Sequence, residues 1–213
     1  MSQSLRVYSL CLLLCIAVLS VGCATHPSAP RTRSWMTPCD SCIKGVKNFV
    51  EVSPALWRGA PQNGHEQEGF LNLEKAGVKT IVNLRYDHDD LPFLVGTKLR
   101  YFWIKTHAWH PEEEDLVKFL KVLKDKKNWP VFVHCAQGRD RTGYSVATYR
   151  IVEQEWTAND AIHEMFDFNF NSIWFRNPGF LRDIEKERDD ILKKVEQAPP
   201  QAPYNELEGT PQK

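Results

Sequence analysis

Residues 130–152, "PVFVHCAQGRDRTGYSVATYRIV", constrain the fold of this chain more than any other stretch. An uninterrupted apolar run of strand length comes first, then a short polar turn containing Gly138, then a segment with helical character. A strand that is apolar on both faces belongs inside a sheet covered on both sides, the usual setting of parallel strands. "VKTIVNL" (78–84) and "LRYFWIKT" (99–106) are further extended runs, and helical patterns alternate with them. This alternation implies an α/β fold: a central, largely parallel sheet flanked by helices, in a single domain. In such sheets the site lies beyond the carboxyl ends of the strands. Cys135 stands at that edge, and the next helix begins around Arg141.

The other elements follow from local signals. "FVEVSPALWRGA" (49–60) offers short extended segments. In "EQEGFLNLEKAG" a short helix places Phe70, Leu71, Leu73 and Ala76 on one side and stops at Gly77. "PEEEDLVKFLKVLKDKKN" is a helix with Pro111 at its first position, acids in its first turn and lysines in its last. Leu116, Phe119, Leu120 and Leu123 form its buried stripe. "TANDAIHEMF" opens with a Thr157–Asp160 capping pattern, and one last helix runs from Asn177-Pro178 through "PGFLRDIEKERDDILKKV".

The ends differ in composition from this middle. Residues 1–23 have the anatomy of a secretory signal, with the uncharged run "VYSLCLLLCIAVLSVG" behind a single Arg6. Leu19-Ser20-Val21-Gly22-Cys23 resembles a bacterial lipoprotein box, so the chain is expected to be exported to the periplasm or cell envelope. Cys23 is the candidate lipid anchor and membrane tether; simple cleavage near Gly22 or Ala24 is the alternative. Residues 24–45 are rich in Pro, Ser and Thr and read as a tether. They carry Cys39 and Cys42, whose C-x-x-C spacing in an oxidising compartment reads as a local disulfide. A zinc site would need a second ligand pair, and a redox pair would want a strand before it and a helix after it. The domain proper spans 46–195, and the polar, Pro-rich residues 196–213 read as a disordered tail. With 27 basic and 27 acidic side chains, bulk charge gives no reason to expect a nucleic-acid partner.

The turn after Cys135 has the parts of an anion cradle. A short loop feeding a helix can aim successive backbone N–H groups into one concavity, and the helix amino terminus adds positive potential. Gly138 can take backbone angles closed to other residues, which lets the loop curl. Arg141 can fork two donors onto a tetrahedral dianion. A thiol at the base of such a cradle is stabilised as thiolate by the same groups, which makes Cys135 a nucleophile aimed at phosphorus. The loop amides and Arg141 then hold the equatorial oxygens through the transition state. This chemistry calls for no metal and no cofactor.

The stretch resembles the H-C-x5-R-[ST]-G signature of cysteine-dependent protein tyrosine and dual-specificity phosphatases, and fits it at every fixed position from His134 to Gly143. More closely, "LWRGAPQ", "AGVKTIVNLR", "PVFVHCAQGRDRTG" and "ATYRIVEQEWTANDAIHEM" resemble the small dual-specificity-like phosphatases of the bacterial envelope, over about residues 50–190. The resemblance implies that fold, and a phosphorylated protein or small phosphomonoester as substrate. It makes Cys135 the nucleophile and Arg141 the phosphate clamp. Ala136, Gln137, Gly138, Arg139, Asp140 and Arg141 supply loop amides, and Thr142 hydrogen-bonds the sulfur. His134 would orient the loop or serve as a satisfied core histidine. Such enzymes usually carry an Asp general acid on the loop before the preceding helix. Here that loop is "THAWHPEEED", which offers His110, with Asp87, Asp89 and Asp90 of "RYDHDD" as rivals. A rhodanese-like sulfurtransferase and a phosphate-binding module with impaired catalysis are the alternative readings.

Overall fold

The computed structural model describes residues 36–206; the expected signal, Cys23 and the end of the tail lie outside them. Five strands form one sheet: β1 (Val46–Glu51), β2 (Leu56–Pro61), β3 (Thr80–Asn83), β4 (Arg100–Trp103) and β5 (Val131–His134). Their order is β1-β2-β5-β3-β4. β5 is parallel to β2 and β3, β4 is parallel to β3, and only the β1–β2 hairpin is antiparallel. The expected largely parallel sheet is therefore present, with β5 at its centre.

Side chains alternate across the sheet and serve two apolar layers. Leu56, Val82, Phe102, Val131 and Val133 face the layer built by α2 (Glu113–Lys124), α3 (Asp140–Gln154), α4 (Ala158–Asp167), α5 (Asn177–Lys186) and α6 (Arg188–Gln197). Trp57, Ile81, Tyr101 and Phe132 face the other layer, which includes Phe70 and Leu73 of α1 (Glu66–Lys75). α3 is buried from Thr142 to Val152 on all its faces, so it shows no amphipathic stripe. The Thr157 hydroxyl accepts the Asp160 N–H, as the capping pattern implied. In α1, Phe70 and Leu73 are buried, whereas Leu71 is half-buried and Ala76 exposed; Gly77 ends the helix at φ +110°.

Three expectations about the elements are corrected. α2 starts at Glu113, not Pro111, because Glu112 is extended at its amino end (φ −108°, ψ 135°). The last helix is two helices, α5 and α6, divided at Glu187. No Gly or Pro marks that break; it falls where Arg188 donates to the Val152 carbonyl at the end of α3, a tertiary anchor. Of the tail expected to be disordered from 196, the described residues 196–206 are ordered, as are residues 36–45 of the expected tether. Cys39 and Cys42 form a disulfide, and Cys39 pairs with Phe49 of β1 through two backbone hydrogen bonds.

The tail is held by polar and aromatic contacts to the open edge of β4. Tyr204 packs edge-on against Tyr101 and Trp103. The Asn205 side-chain amide accepts the Tyr101 N–H at 3.0 Å and donates to the Leu99 carbonyl at 3.1 Å. Each such bond contributes about 0.5–1.5 kcal/mol. Asn205→Ala should therefore lower the thermal midpoint by roughly 2–6 °C, measured by calorimetry. An unchanged midpoint would show that residues 199–206 add nothing to the edge they cover.

Candidate active site

The register of the sheet sets the site. His134, the last residue of β5, lies between Gly59 of β2 and Asn83 of β3. Residues 135–139 then loop outward from this central position until α3 begins at Asp140. Gly138 has φ +65°, and a Cβ there would stand 2.5 Å from the Gly59 carbonyl oxygen, so only glycine allows both the turn and the approach. The Gly138 carbonyl points inward. It accepts the Arg58 Nη2–H at 2.8 Å and the Asn48 Nδ2–H at 3.0 Å. In a planar trans peptide the next N–H points the opposite way, so this anchoring aims the Arg139 N–H outward, into the cradle.

Both anchors have structural causes. β1 carries an irregularity between Lys47 and Val50, where Asn48 takes φ +52°. A bulge of this kind re-aims a side chain, here toward the loop. The Asn48 N–H donates to Asp40 Oδ1 at 2.8 Å, which ties the bulge to the disulfide segment. Arg58 lies 1% exposed in a strand whose six residues are all buried. Burial pulls its pKa down to about 10, against the pull of Glu164 and Cys135, so it is a cation at neutral pH. Its guanidinium lies 3.8 Å over the Phe168 ring, a face that suits a cation whose Nε and Nη1 make no hydrogen bond. Sequence reasoning passed over both residues. The available signal for Arg58 was a charge inside the apolar run "LWRGAP"; nothing in the sequence singled out Asn48.

Cys135 is 3% exposed at the base of the loop, while Ala136 and Gln137 are exposed above it. Burial alone would push the thiol up. The Thr142 hydroxyl and N–H, the Arg141 guanidinium and the Gln137 N–H together outweigh that and bring it below its ordinary value. Thr142 Oγ1 is buried and makes no other hydrogen bond, so its proton is available to the sulfur. Arg141 rests with Nη1 3.3 Å from the Leu84 carbonyl, which also accepts the Thr106 hydroxyl. Arg139 Nε donates to the Asn169 carbonyl at 2.5 Å, and Asp140 Oδ1 accepts the Asn171 N–H at 2.8 Å. These two side chains hold the turn after α4, leaving their backbone to the cradle.

The acid candidates separate. Asp90 is fully buried, and its Oδ2 lies 2.9 Å from Nε2 of the equally buried His134, so it is removed from the list of proton donors to a leaving group. Asp89 Oδ1 accepts the Leu91 N–H and shapes a turn. Asp87 is exposed beside Tyr86. His110 lines a surface cavity of about 540 Å³ with Trp109, Pro111, Glu112, Arg176 and Phe180, among others. No residue of the phosphate loop lines that cavity. In the same loop His107 is stacked on Tyr86 at 4.3 Å and tilted against Trp109 at 4.5 Å. Trp174 continues the row at 6.2 Å from Trp109. The Tyr144 hydroxyl donates to the His107 carbonyl, and Asn177 to that of Ala108, which fixes the loop.

The balance at the sulfur has a direct test. Thr142→Val keeps the shape of the side chain and removes the hydroxyl. The iodoacetamide alkylation profile of Cys135 should then move to higher pH, with slower reaction at mildly acidic pH. An unmoved profile would mean that the hydroxyl does not stabilise the thiolate.

Comparisons with known proteins agree with this geometry. Residues 45–199 match the model of the tyrosine phosphatase family. The dual specificity protein phosphatase TpbA of Pseudomonas aeruginosa is 33% identical over 143 residues, covering 67% of this chain and 62% of that protein. The chain thus matches somewhat under two thirds of that relative's length. Inositol diphosphatase DSP5 of Arabidopsis thaliana is 32% identical over 131 residues, covering 55% of this chain and 59% of that protein. The crystal structure of P. aeruginosa TpbA superposes with a TM-score of 0.63 at 28% identity, covering 76% of this chain and 99% of that one. A Cys-to-Ser form of the same protein, solved in complex with phosphotyrosine, gives 0.62. With the signature at the end of the central strand and the family match extending over most of the described residues, the chain belongs to the tyrosine phosphatase family.

Proposed function

We propose that this chain hydrolyses phosphomonoesters through a cysteinyl-phosphate, with aryl phosphates such as phosphotyrosine as its preferred class. The observation that carries the reading is the Cys135 thiol, lowered below its ordinary value at the base of a loop whose amides and Arg141 surround it. The thiolate attacks phosphorus, the P–S bond forms as the P–O bond breaks, and the leaving oxygen takes a proton. Water then attacks phosphorus, phosphate departs, and sulfur leaves as thiolate, stabilised by Thr142 and Arg141. Family membership weighs against the sulfurtransferase alternative. An intact nucleophile and clamp weigh against an impaired binding module.

Substrate preference rests on the loops beyond the carboxyl ends of β3 and β4, the edge of the sheet from which Cys135 also departs. Tyr86, His107, Trp109 and Trp174 form a row of rings, with Tyr86 and Trp109 about half exposed. Such a wall suits the ring of a phosphotyrosine better than a highly phosphorylated inositol, which would call for basic side chains. The basic residue of the loop itself, Arg139, is engaged by Asn169. Purified protein should hydrolyse an aryl phosphate in the presence of chelator and be inhibited by vanadate. Cys135→Ser should abolish turnover and still bind phosphate; full activity in that variant would end the reading.

We assign the leaving-group proton to Asp87, the acid of "RYDHDD" that is exposed in the loop after β3. A positioned donor is worth about 10²–10⁴-fold. Asp87→Asn should lower kcat by at least about tenfold on an alkyl phosphate and far less on an activated aryl phosphate. His110→Ala should change both only slightly, because that side chain faces the cavity beside α5. The reverse pattern would restore His110 and remove Asp87.

Export and attachment through Cys23 are part of the same proposal. The uncharged amino-terminal run and the Cys39–Cys42 disulfide, which suits an oxidising compartment, support it. Fractionation with a radiolabelled fatty acid should place label and activity in the envelope. Cytoplasmic protein that retains Met1 would refute export.

A further inference from the structure

The Cys39–Cys42 disulfide stands at the head of a short path of hydrogen bonds that ends in the phosphate loop. Asn48 and Phe49, the two residues at the irregularity in β1, have no register partner on β2. The disulfide segment takes up both of their N–H groups. Phe49 donates to the Cys39 carbonyl at 3.0 Å, and Asn48 donates to Asp40 Oδ1 at 2.8 Å. A buried strand N–H without an acceptor is costly, so these two acceptors are what let the bulge form.

Asn48 turns that bulge toward the site. It takes φ +52°, which Asn tolerates better than most side chains. Its side chain is buried, and Nδ2 donates to the Gly138 carbonyl at 3.0 Å and, more weakly, to the Gln137 carbonyl at 3.4 Å. Two successive carbonyls of the loop therefore rest on one amide. The N–H groups that follow them, on Gly138 and Arg139, point the other way. At the head of the path Asp40, Ser41 and Cys42 are exposed, so a reductant in solution can reach the S–S bond. Exposed disulfides are as a rule the labile ones.

We propose that the Cys39–Cys42 disulfide is a redox control on the phosphate loop, exerted through Asp40 and through Asn48 as a positioning residue. The inference rests on the reading of that loop as the phosphate cradle beside Cys135. Closed, the S–S bond confines Asp40 within a ring of four residues and keeps its carboxylate beside the Asn48 N–H. In the control step a dithiol gives up two electrons and two protons. The Cys39–Cys42 bond breaks, both residues become thiols, and the dithiol closes to its own disulfide. Asp40 then loses its confinement, the bulge loses an acceptor, and Asn48 holds the two loop carbonyls less well. Cys135 takes no part in the exchange; it is buried and remains a thiol. The outcome is a phosphatase at full turnover only where disulfides persist.

The test compares the full chain before and after treatment with dithiothreitol. Mass spectrometry of alkylated peptides confirms that Cys39 and Cys42 become thiols and that Cys135 is a thiol in both samples. Reduction should lower kcat on an aryl phosphate about 3- to 10-fold, the effect of weakening one anchoring hydrogen bond. The affinity for inorganic phosphate should fall with it. The direction is diagnostic, because a reductant that merely protected Cys135 would raise turnover. A disulfide that only stabilised the fold would lower the thermal midpoint and leave kcat and phosphate affinity unchanged well below it. Cys39→Ser combined with Cys42→Ser should match the reduced protein and ignore the dithiol. Asp40→Ala should show the loss while still oxidised, and Asp40→Asn, which keeps an acceptor oxygen, should retain most of the activity. Unchanged kcat and phosphate affinity on reduction, an undiminished dithiol response in Asp40→Ala, or equal losses in Asp40→Ala and Asp40→Asn would each overturn the inference. Absence of turnover in the oxidised chain would instead count against the nucleophile reading, and phosphate affinity would still report on the loop.

Discussion

The inward-turned carbonyl of Gly138 is the constraint on which the site depends. A loop that presents N–H groups to an anion must send some of its carbonyls in the opposite direction, into the protein, where each needs a donor. Arg58 and Asn48 supply donors to this one, from the two strands of the antiparallel hairpin. Burying a guanidinium costs several kcal/mol unless it is compensated. The compensation comes from the carbonyl itself, from the Phe168 ring and from the field of Glu164, which is paired with Arg150. The hairpin therefore serves as more than an edge of the sheet. Its bulge and its buried cation set the shape of a loop 90 and 80 residues further along the chain.

At the sulfur, opposed effects meet. A thiol buried to 3% exposure would ordinarily be neutral and inert. The lowering arises because two contributions of Thr142, the Arg141 charge and the Gln137 amide converge on one atom. Arg141 and Thr142 both stand in the first turn of α3, so the start of that helix places the charge and the hydroxyl together. α3 can hold this position because it is enclosed on every side by the sheet and the neighbouring helices.

The strand–loop–helix unit that carries Cys135 and Arg141 was legible in the sequence because it is contiguous, and the spacing from His134 to Gly143 carries its own geometry. The sheet was legible for a related reason, since runs such as "PVFV" and "TIVN" can be satisfied only when both faces are covered. What the sequence hid were relations between distant segments. Arg58, Asn48 and Asp90 take their meaning from partners on other elements, and no local pattern announces them. The extended Glu112 and the late start of α2 set His110 in a cavity beside α5, a neighbour its own loop does not announce. The division of α5 from α6 depends on Arg188 reaching α3, and the ordered tail on Tyr204 finding two rings.

The amide of Asn205 has a consequence for how copies of this chain meet one another. An edge strand with free N–H and C=O groups is a template for any other strand, including the same strand of a second molecule. By engaging the Tyr101 N–H and the Leu99 carbonyl, one side chain imitates the backbone of a neighbouring strand. The ring of Tyr204 covers the surface beside it. The tail thus acts as a stopper on sheet growth at β4, and a few residues outside the sheet protect the domain from edge-to-edge association.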